Sequence, residues 1–200
     1  YLFSLFFTNP KKKNRKTIYL VKRQLPYIKY FHIANSATIL RCSDAYFNMV
    51  RPGISLYGVT PFGIPDSNLS PVMTMKAPLT IVKHFKKEDS IGYNRLYVLE
   101  KDESIAFVQA GYADGIPVLF SNRGQVEIDQ SLYPIIGKVS MDTVCIDITS
   151  ENVKKGDSVS IWGDPSRTIT LESLSKKYNR IPYEYLTAIS ERVRKEYIYE

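Results

Sequence analysis

Residues 31–58 read FHIANSATILRCSDAYFNMVRPGISLYG, and the way this stretch divides sets the architecture around it. Two short apolar runs, Tyr30–Ile33 and Phe47–Val50, each end in small or polar residues. Asn35-Ser36-Ala37 follows the first and Arg51-Pro52-Gly53-Ile54 the second. The runs predict buried strands, and the residues between them predict a short helix from Ala37. A strand that stops on small hydroxyl and glycine residues exposes backbone N–H groups and leaves room for an anion such as phosphate. Arg51 adds a planar cation at the end of the second run. Spacing alone equally allows two ordinary buried strands, with Ser36 as a helix N-cap and Arg51 in a structural ion pair.

Upstream, Tyr1–Phe7 reads as a buried strand ended by Thr8-Asn9-Pro10. Asn14 to Gln24 reads as a helix with Ile18, Val21 and Leu25 on one face, stopped by Pro26. Strand, helix, strand, helix, strand at this pitch implies parallel β/α units. Three such strands cannot close an eight-fold barrel, which takes about 250 residues. The chain also starts on Tyr inside a strand-like run, so it reads as the back part of a longer protein. Pro61 to Pro71, PFGIPDSNLSP, has linker composition. Beyond it the rhythm changes to short strands at Met73–Phe85, Ile105–Ala110, Gln125–Ile128, Tyr133–Val139, Val144–Ile148 and Ser158–Trp162. A helix capped by Thr170, with Glu172 in its first turn, and another starting at Pro182 complete the reading. The expected fold class is therefore α/β plus β. Residues 1–62 form the end of a β/α barrel, 63–72 a linker, and 73–200 a mainly β domain.

Composition bounds the function. Two hundred residues, 44% hydrophobic and 24% charged, describe a soluble globular chain able to bury a core. The net charge of +7 gathers largely in Lys11–Lys16 and on helix faces, and no groove-reading motif accompanies it, so nucleic acid is not an expected partner. A basic nucleic-acid module would have to show salt-sensitive binding. The two cysteines, Cys42 and Cys145, make no disulfide framework and fit a reducing compartment. His32 and His84 are too isolated for a metal site. Asn68-Leu69-Ser70 matches a glycosylation acceptor with nothing else to suggest secretion. The apolar opening, YLFSLFF, is too short to span a membrane and lacks the features of a signal peptide. The expectation is a cytoplasmic protein without membrane or metal.

Further blocks stand downstream: Gly92-Tyr93-Asn94, Gly111-Tyr112-Ala113-Asp114-Gly115, Gly137-Lys138-Val139-Ser140-Met141-Asp142 and Ile181-Pro182-Tyr183-Glu184. With HIANSA and FNMVRPGISLYG, in this order and over most of the chain, they closely resemble the alanine racemases, fold-type III enzymes that use pyridoxal 5'-phosphate (PLP). The resemblance implies the last strands of a TIM-type (β/α)8 barrel followed by a mainly β C-terminal domain. It implies interconversion of L- and D-alanine, supplying D-alanine for peptidoglycan, by a homodimer with shared active sites. It places the Ser36 hydroxyl, the backbone N–H groups of Gly53 and Ile54, and the Tyr183 hydroxyl on the cofactor phosphate. Arg51 would face the pyridine nitrogen. An arginine stays protonated and so keeps that nitrogen unprotonated, which weakens the ring as an electron sink and favours proton return over transamination.

The same resemblance makes Tyr93 one of two acid–base residues flanking the substrate Cα, given to the neighbouring subunit's site. Tyr112 and Met141 would line the substrate entrance and the carboxylate site in that partner pocket, Met141 through its backbone N–H. Each has an ordinary reading beside it: Tyr93 and Tyr112 as turn residues, Met141 as core packing, Tyr183 as cover for the last helix. A phenol working as a base near neutrality needs cations beside it. The family's histidine for that purpose, and its cofactor-bearing lysine, belong to positions before Tyr1. His32, His84, Lys83, Lys138 and Lys11–Lys16 do not match them. With a base for one face only, residues 1–200 alone are expected to bind PLP weakly and racemise nothing. Two other readings remain: a non-catalytic chain serving folding or dimerisation, and a racemase for serine or a broader amino-acid range, since a small pocket rejects one added hydroxyl poorly.

Overall fold

The computed structural model describes residues 19–149, 153–164 and 168–198. The expected strand Tyr1–Phe7, the run Lys11–Lys16 and the start of the expected helix Asn14–Gln24 lie outside the described residues; residues 19–24 are helical. The quoted stretch folds as helix α1 (Ser36–Arg41) followed by 3₁₀ turns at Ser43–Ala45 and Ile54–Tyr57.

The apolar runs on either side of α1 do not form the strands their composition suggests. Among the described residues they meet in one parallel bridge, Asn35 to Arg51, with the Arg51 N–H donating to the Ala34 carbonyl at 2.8 Å. Phe47 has φ 52°, a left-handed conformation that a bulky residue adopts at a cost and that breaks an extended run. The Asn48 side chain then does what ladder bonds would have done. Its Oδ1 accepts the Phe31 N–H at 2.7 Å and its amide donates to the Lys29 carbonyl at 2.7 Å.

The second part is a closed antiparallel barrel. Its strands are β1 (Met75–Phe85), β4 (Glu103–Val108), β7 (Val144–Asp147), β6 (Ser131–Ile136), β5 (Gln125–Ile128) and β8 (Ser158–Trp162), neighbours in that order. A separate two-stranded ribbon joins β2 (Ser90–Ile91) to β3 (Tyr97–Val98). Closure depends on β1. Its first half, Met75–Pro78, pairs with β8, its second half, Leu79–Phe85, pairs with β4, and register shifts at Met75/Lys76 and Leu79/Ile81 let it bend from one partner to the other. Closing the sheet leaves no unpaired edge on which another chain could template.

Burial follows the pleat. Met75, Ala77 and Leu79 alternate inward on β1, and Val126, Ile146, Val159 and Ile161 meet them, each buried Met, Leu, Val or Ile side chain stabilising by about 1.5–3 kcal/mol. Trp162, Phe120 and Tyr185 are the largest fully buried groups. Helix α2 (Leu171–Tyr178) covers the barrel with Leu171 and Leu174. Thr170 caps α2, accepting the Ser173 N–H at 3.1 Å while Ser173 Oγ accepts the Thr170 N–H. Asn179, left-handed at φ 53°, ends it, and Pro182 opens α3 (Pro182–Thr187). Ile54 and Val59 from the first part enter the same core, and the buried Glu172 carboxylate accepts the Thr60 N–H at 3.0 Å. The turn after Gly53 is thus fixed to the barrel.

Candidate active-site groups

The helix cap is Asn35, whose Oδ1 accepts the Thr38 N–H at 3.1 Å; Ser36, the first helical residue, does not cap. The buried Ser36 hydroxyl instead reaches across to the following turn. Its Oγ accepts the Gly53 N–H at 2.9 Å and the Ser55 N–H at 3.3 Å, with the Ser55 hydroxyl 3.1 Å away. Two backbone N–H groups and the Ser55 hydroxyl therefore converge on the Ser36 oxygen. Ile54 holds this turn from beneath, its side chain 2% exposed in the core. Ser55 was not among the residues singled out from sequence. Its position in the helical turn after Gly53, where first-turn N–H groups lack intrahelical partners, was the available signal.

Arg51 stands beside this cluster through its bridge to Asn35. It is exposed, and its Nη2 donates to the Ile33 carbonyl at 3.5 Å. The desolvation cost of a cation ending a buried strand does not arise, because the strand is not there. Tyr183 lies in the first turn of α3, half exposed, and no hydrogen bond among the described residues ties it to Ser36, Arg51 or Gly53.

A second group collects where β4 ends and β6 hands over to β7. Tyr112 follows Gly111 into a 3₁₀ turn, and Met141 sits in the loop after β6. The Tyr112 N–H donates to the Ser140 carbonyl at 2.9 Å and the Ala113 N–H to the Met141 carbonyl at 3.1 Å. Both side chains face solvent, Tyr112 at 46% and Met141 at 52% exposure, so Met141 is not core packing. Gly111 is required here. A Cβ on it would lie 2.3 Å from the Met141 and Ser140 carbonyl oxygens. Arg192 joins the two loops from the C-terminal segment: its Nε meets Asp114 Oδ1 at 2.8 Å and its Nη2 meets Asp142 Oδ1 at 2.5 Å. The Asp142 hydrogen bond, with the charge of Asp114 beside it, raises the guanidinium's pKa further. Asp114 and Asp142 lie inside blocks quoted from the sequence, but nothing in the sequence tied Arg192 to them.

Tyr93 occupies a tight turn after Gly92, 66% exposed. That turn packs beside the same β6–β7 loop: a Cβ on Gly92 would meet the Lys138 N–H group at 3.1 Å, and Asn122 bridges the Leu96 carbonyl to the Gly137 N–H. Tyr97, four residues on, is a different kind of phenol. It donates to Glu103 Oε2 at 2.9 Å, and burial, reinforced by that carboxylate, holds it well above the usual tyrosine range. Of the two, Tyr93 is the one exposed to solvent. No hydrogen bond among the described residues joins the Tyr93, Tyr112 and Met141 group to the Ser36 cluster. An open cleft of about 320 Å³ between the Tyr112 turn and α3, lined by Tyr112, Val118, Glu184 and Tyr185, includes none of the Ser36 cluster. No helix among the described residues is long and apolar enough to cross a membrane, and none of their His, Cys, Asp and Glu side chains group to hold a metal.

Comparison with known proteins places these groups in context. The family model described as alanine racemase, C-terminal domain, matches residues 72–197, and that described as alanine racemase, N-terminal domain, matches residues 8–61. An alanine racemase of Vesicomyosocius okutanii is 39% identical over 180 residues, covering 90% of this chain and 51% of that protein. The crystal structure of alanine racemase from a D-cycloserine-producing Streptomyces lavendulae superposes with a TM-score of 0.84 at 33% identity, over 94% of this chain and 50% of that one. That of the Bartonella henselae alanine racemase, with covalently bound pyridoxal phosphate, superposes with a TM-score of 0.77 at 34% identity, over 94% and 52%. The chain spans about half the length of the curated relatives it matches.

Proposed function

The chain belongs to the alanine racemase family, and on that premise we propose that it supplies the phosphate-binding end and the β domain of a PLP-dependent enzyme that interconverts L- and D-alanine. The observation that carries this reading is the convergence of the Gly53 and Ser55 N–H groups on the Ser36 hydroxyl. Gathered in one turn, these uncharged N–H and O–H groups suit a phosphate, which as a dianion accepts several such bonds at once and competes with the Ser36 oxygen for the two N–H groups. Ser36, Gly53, Ile54 and Tyr183 would hold the phosphate, and Arg51 would take the pyridine nitrogen. When bound, PLP acidifies the substrate Cα–H by drawing electron density into its ring.

The chain's own residues do the rest. Tyr93, exposed on a turn with its phenol unburied, takes or returns the proton at Cα. The Met141 loop holds the substrate carboxylate, and Tyr112 narrows the approach to it. No hydrogen bond among the described residues joins these residues to the Ser36 cluster, and the cleft beside Tyr112 includes none of it, which supports a head-to-tail homodimer in which each β domain completes its partner's site. The division into residues 1–62, 63–72 and 73–200 belongs to this reading, as does a cytoplasmic location.

The test uses the full-length protein loaded with PLP. It should racemise alanine, and Tyr93→Phe should lower kcat by about 10²–10⁴-fold with PLP still bound. Residues 1–200 alone with PLP should not racemise alanine above buffer. Full activity in Tyr93→Phe, or racemisation by the 200-residue chain alone, would overturn the assignment. Serine turnover above alanine turnover would favour the broader racemase, and absence of any turnover the non-catalytic reading.

A further inference from the structure

Arg192 makes the bonds that tie the two substrate-side loops to one another through charge. Its Nε binds Asp114, which is 12% exposed, in the Tyr112 turn, and its Nη2 binds Asp142, the residue after Met141. Asp114 is itself fixed, since its other oxygen accepts the Gly111 N–H at 2.8 Å. The segment leading to Arg192 is pressed against the same turn: a Cβ on Gly115 would lie 2.8 Å from the Ala188 carbonyl oxygen and 3.2 Å from Ile189 Cα. Besides this cation, the loops share the backbone bonds Tyr112 N–H to Ser140 and Ala113 N–H to Met141. Those two bonds end on the very residues whose positions matter for substrate.

We propose that Arg192 is a positioning residue for substrate binding: one guanidinium spanning Asp114 and Asp142 locks the Tyr112 turn to the Met141 loop and so sets the affinity for the amino-acid carboxylate. The proposal rests on the functional reading above. Its physical basis is that two carboxylates bound to one guanidinium repel each other once that cation is removed. Lysine cannot replace it fully, because an ammonium is a point charge without the planar fork that reaches both acceptors in fixed directions. Displacement of a binding group by even a fraction of an ångström shows first in affinity, while the Tyr93 turn keeps its own tie through Asn122 to Leu96 and Gly137, which Arg192 does not touch.

The experiment compares full-length enzyme with Arg192→Ala and Arg192→Lys, reading amide hydrogen exchange and alanine racemisation. In Arg192→Ala, exchange should rise at residues 111–115 and 140–143 and stay unchanged over β1, β4 and β6. KM for alanine should rise about fivefold with kcat within about twofold, and Arg192→Lys should recover part of both changes. Unchanged exchange in the two loops overturns the proposal. So does a rise spread over the barrel strands, which reports lost folding, or a fall in kcat at constant KM. If the unsubstituted enzyme racemises nothing, the functional reading fails; the loop exchange still decides whether Arg192 is the lock.

Discussion

The Ser36 hydroxyl is buried and accepts two backbone N–H groups, so its removal strands both donors. Ser36→Ala should cost about 1–3 kcal/mol in urea unfolding and weaken PLP binding about tenfold in full-length enzyme, checked by fluorescence titration. An unaltered dissociation constant would mean the phosphate binds elsewhere. Cys145 offers a titration of the opposite kind. Burial on β7 pushes its thiol from 9.0 up to about 11. The folded state therefore keeps its proton where the unfolded chain loses it, and stability present below pH 9 is lost as pH rises towards 11. Tyr185, raised by burial from 10.0 to about 12, adds to the loss only above pH 10. Cys145→Ala should flatten the stability profile between pH 9 and 10, a difference of up to about 1.4 kcal/mol measured by denaturant titration at each pH. An identical slope in the variant would show that the thiol is not the group responsible.

At the scale of elements, the short strands were legible because alternation and turn residues bound them tightly. Gln125–Ile128 and Ser158–Trp162 match β5 and β8 to the residue. The β2–β3 ribbon was not read, since two-residue strands carry no period. Thr170 has the residue type and position of a helix cap and is one. Thr170→Ala should cost about 1 kcal/mol of thermal or urea stability while leaving the barrel's CD signature in place. The loop pair at Gly111 is less forgiving. Its extended φ suits any residue, so the restriction is steric, and a Cβ would force the Met141 loop away. Gly111→Ala should lose about 1–3 kcal/mol and raise KM for alanine; wild-type KM would show that the loops move apart without consequence. The apolar runs around Asn35 illustrate the reverse. Their composition reads as strand, but the left-handed Phe47 and the Asn48 side-chain bonds replace the ladder with a single bridge.

Taken whole, the molecule is a closed barrel with the Ser36 hydrogen-bond cluster fixed to it and the paired Tyr112 and Met141 loops at the strand ends. Ile54 in the core and Glu172 on Thr60 make the attachment, so the turn after Gly53 and the barrel share one cooperative core. The residue types themselves determined the β domain with its capped helix and the candidates for binding phosphate or handling a proton, because these depend on local pattern and on side-chain chemistry. Tertiary structure alone decided which of them meet. Ser55 joins Ser36 and Gly53, and Arg192 reaches Asp114 and Asp142 across 78 and 50 positions of chain. Arg51 is left exposed, and no hydrogen bond among the described residues joins Tyr93 to the Ser36 cluster. Contacts at such sequence separation are set by how the strands close and the core packs, and neither periodicity nor spacing along the chain encodes that distance.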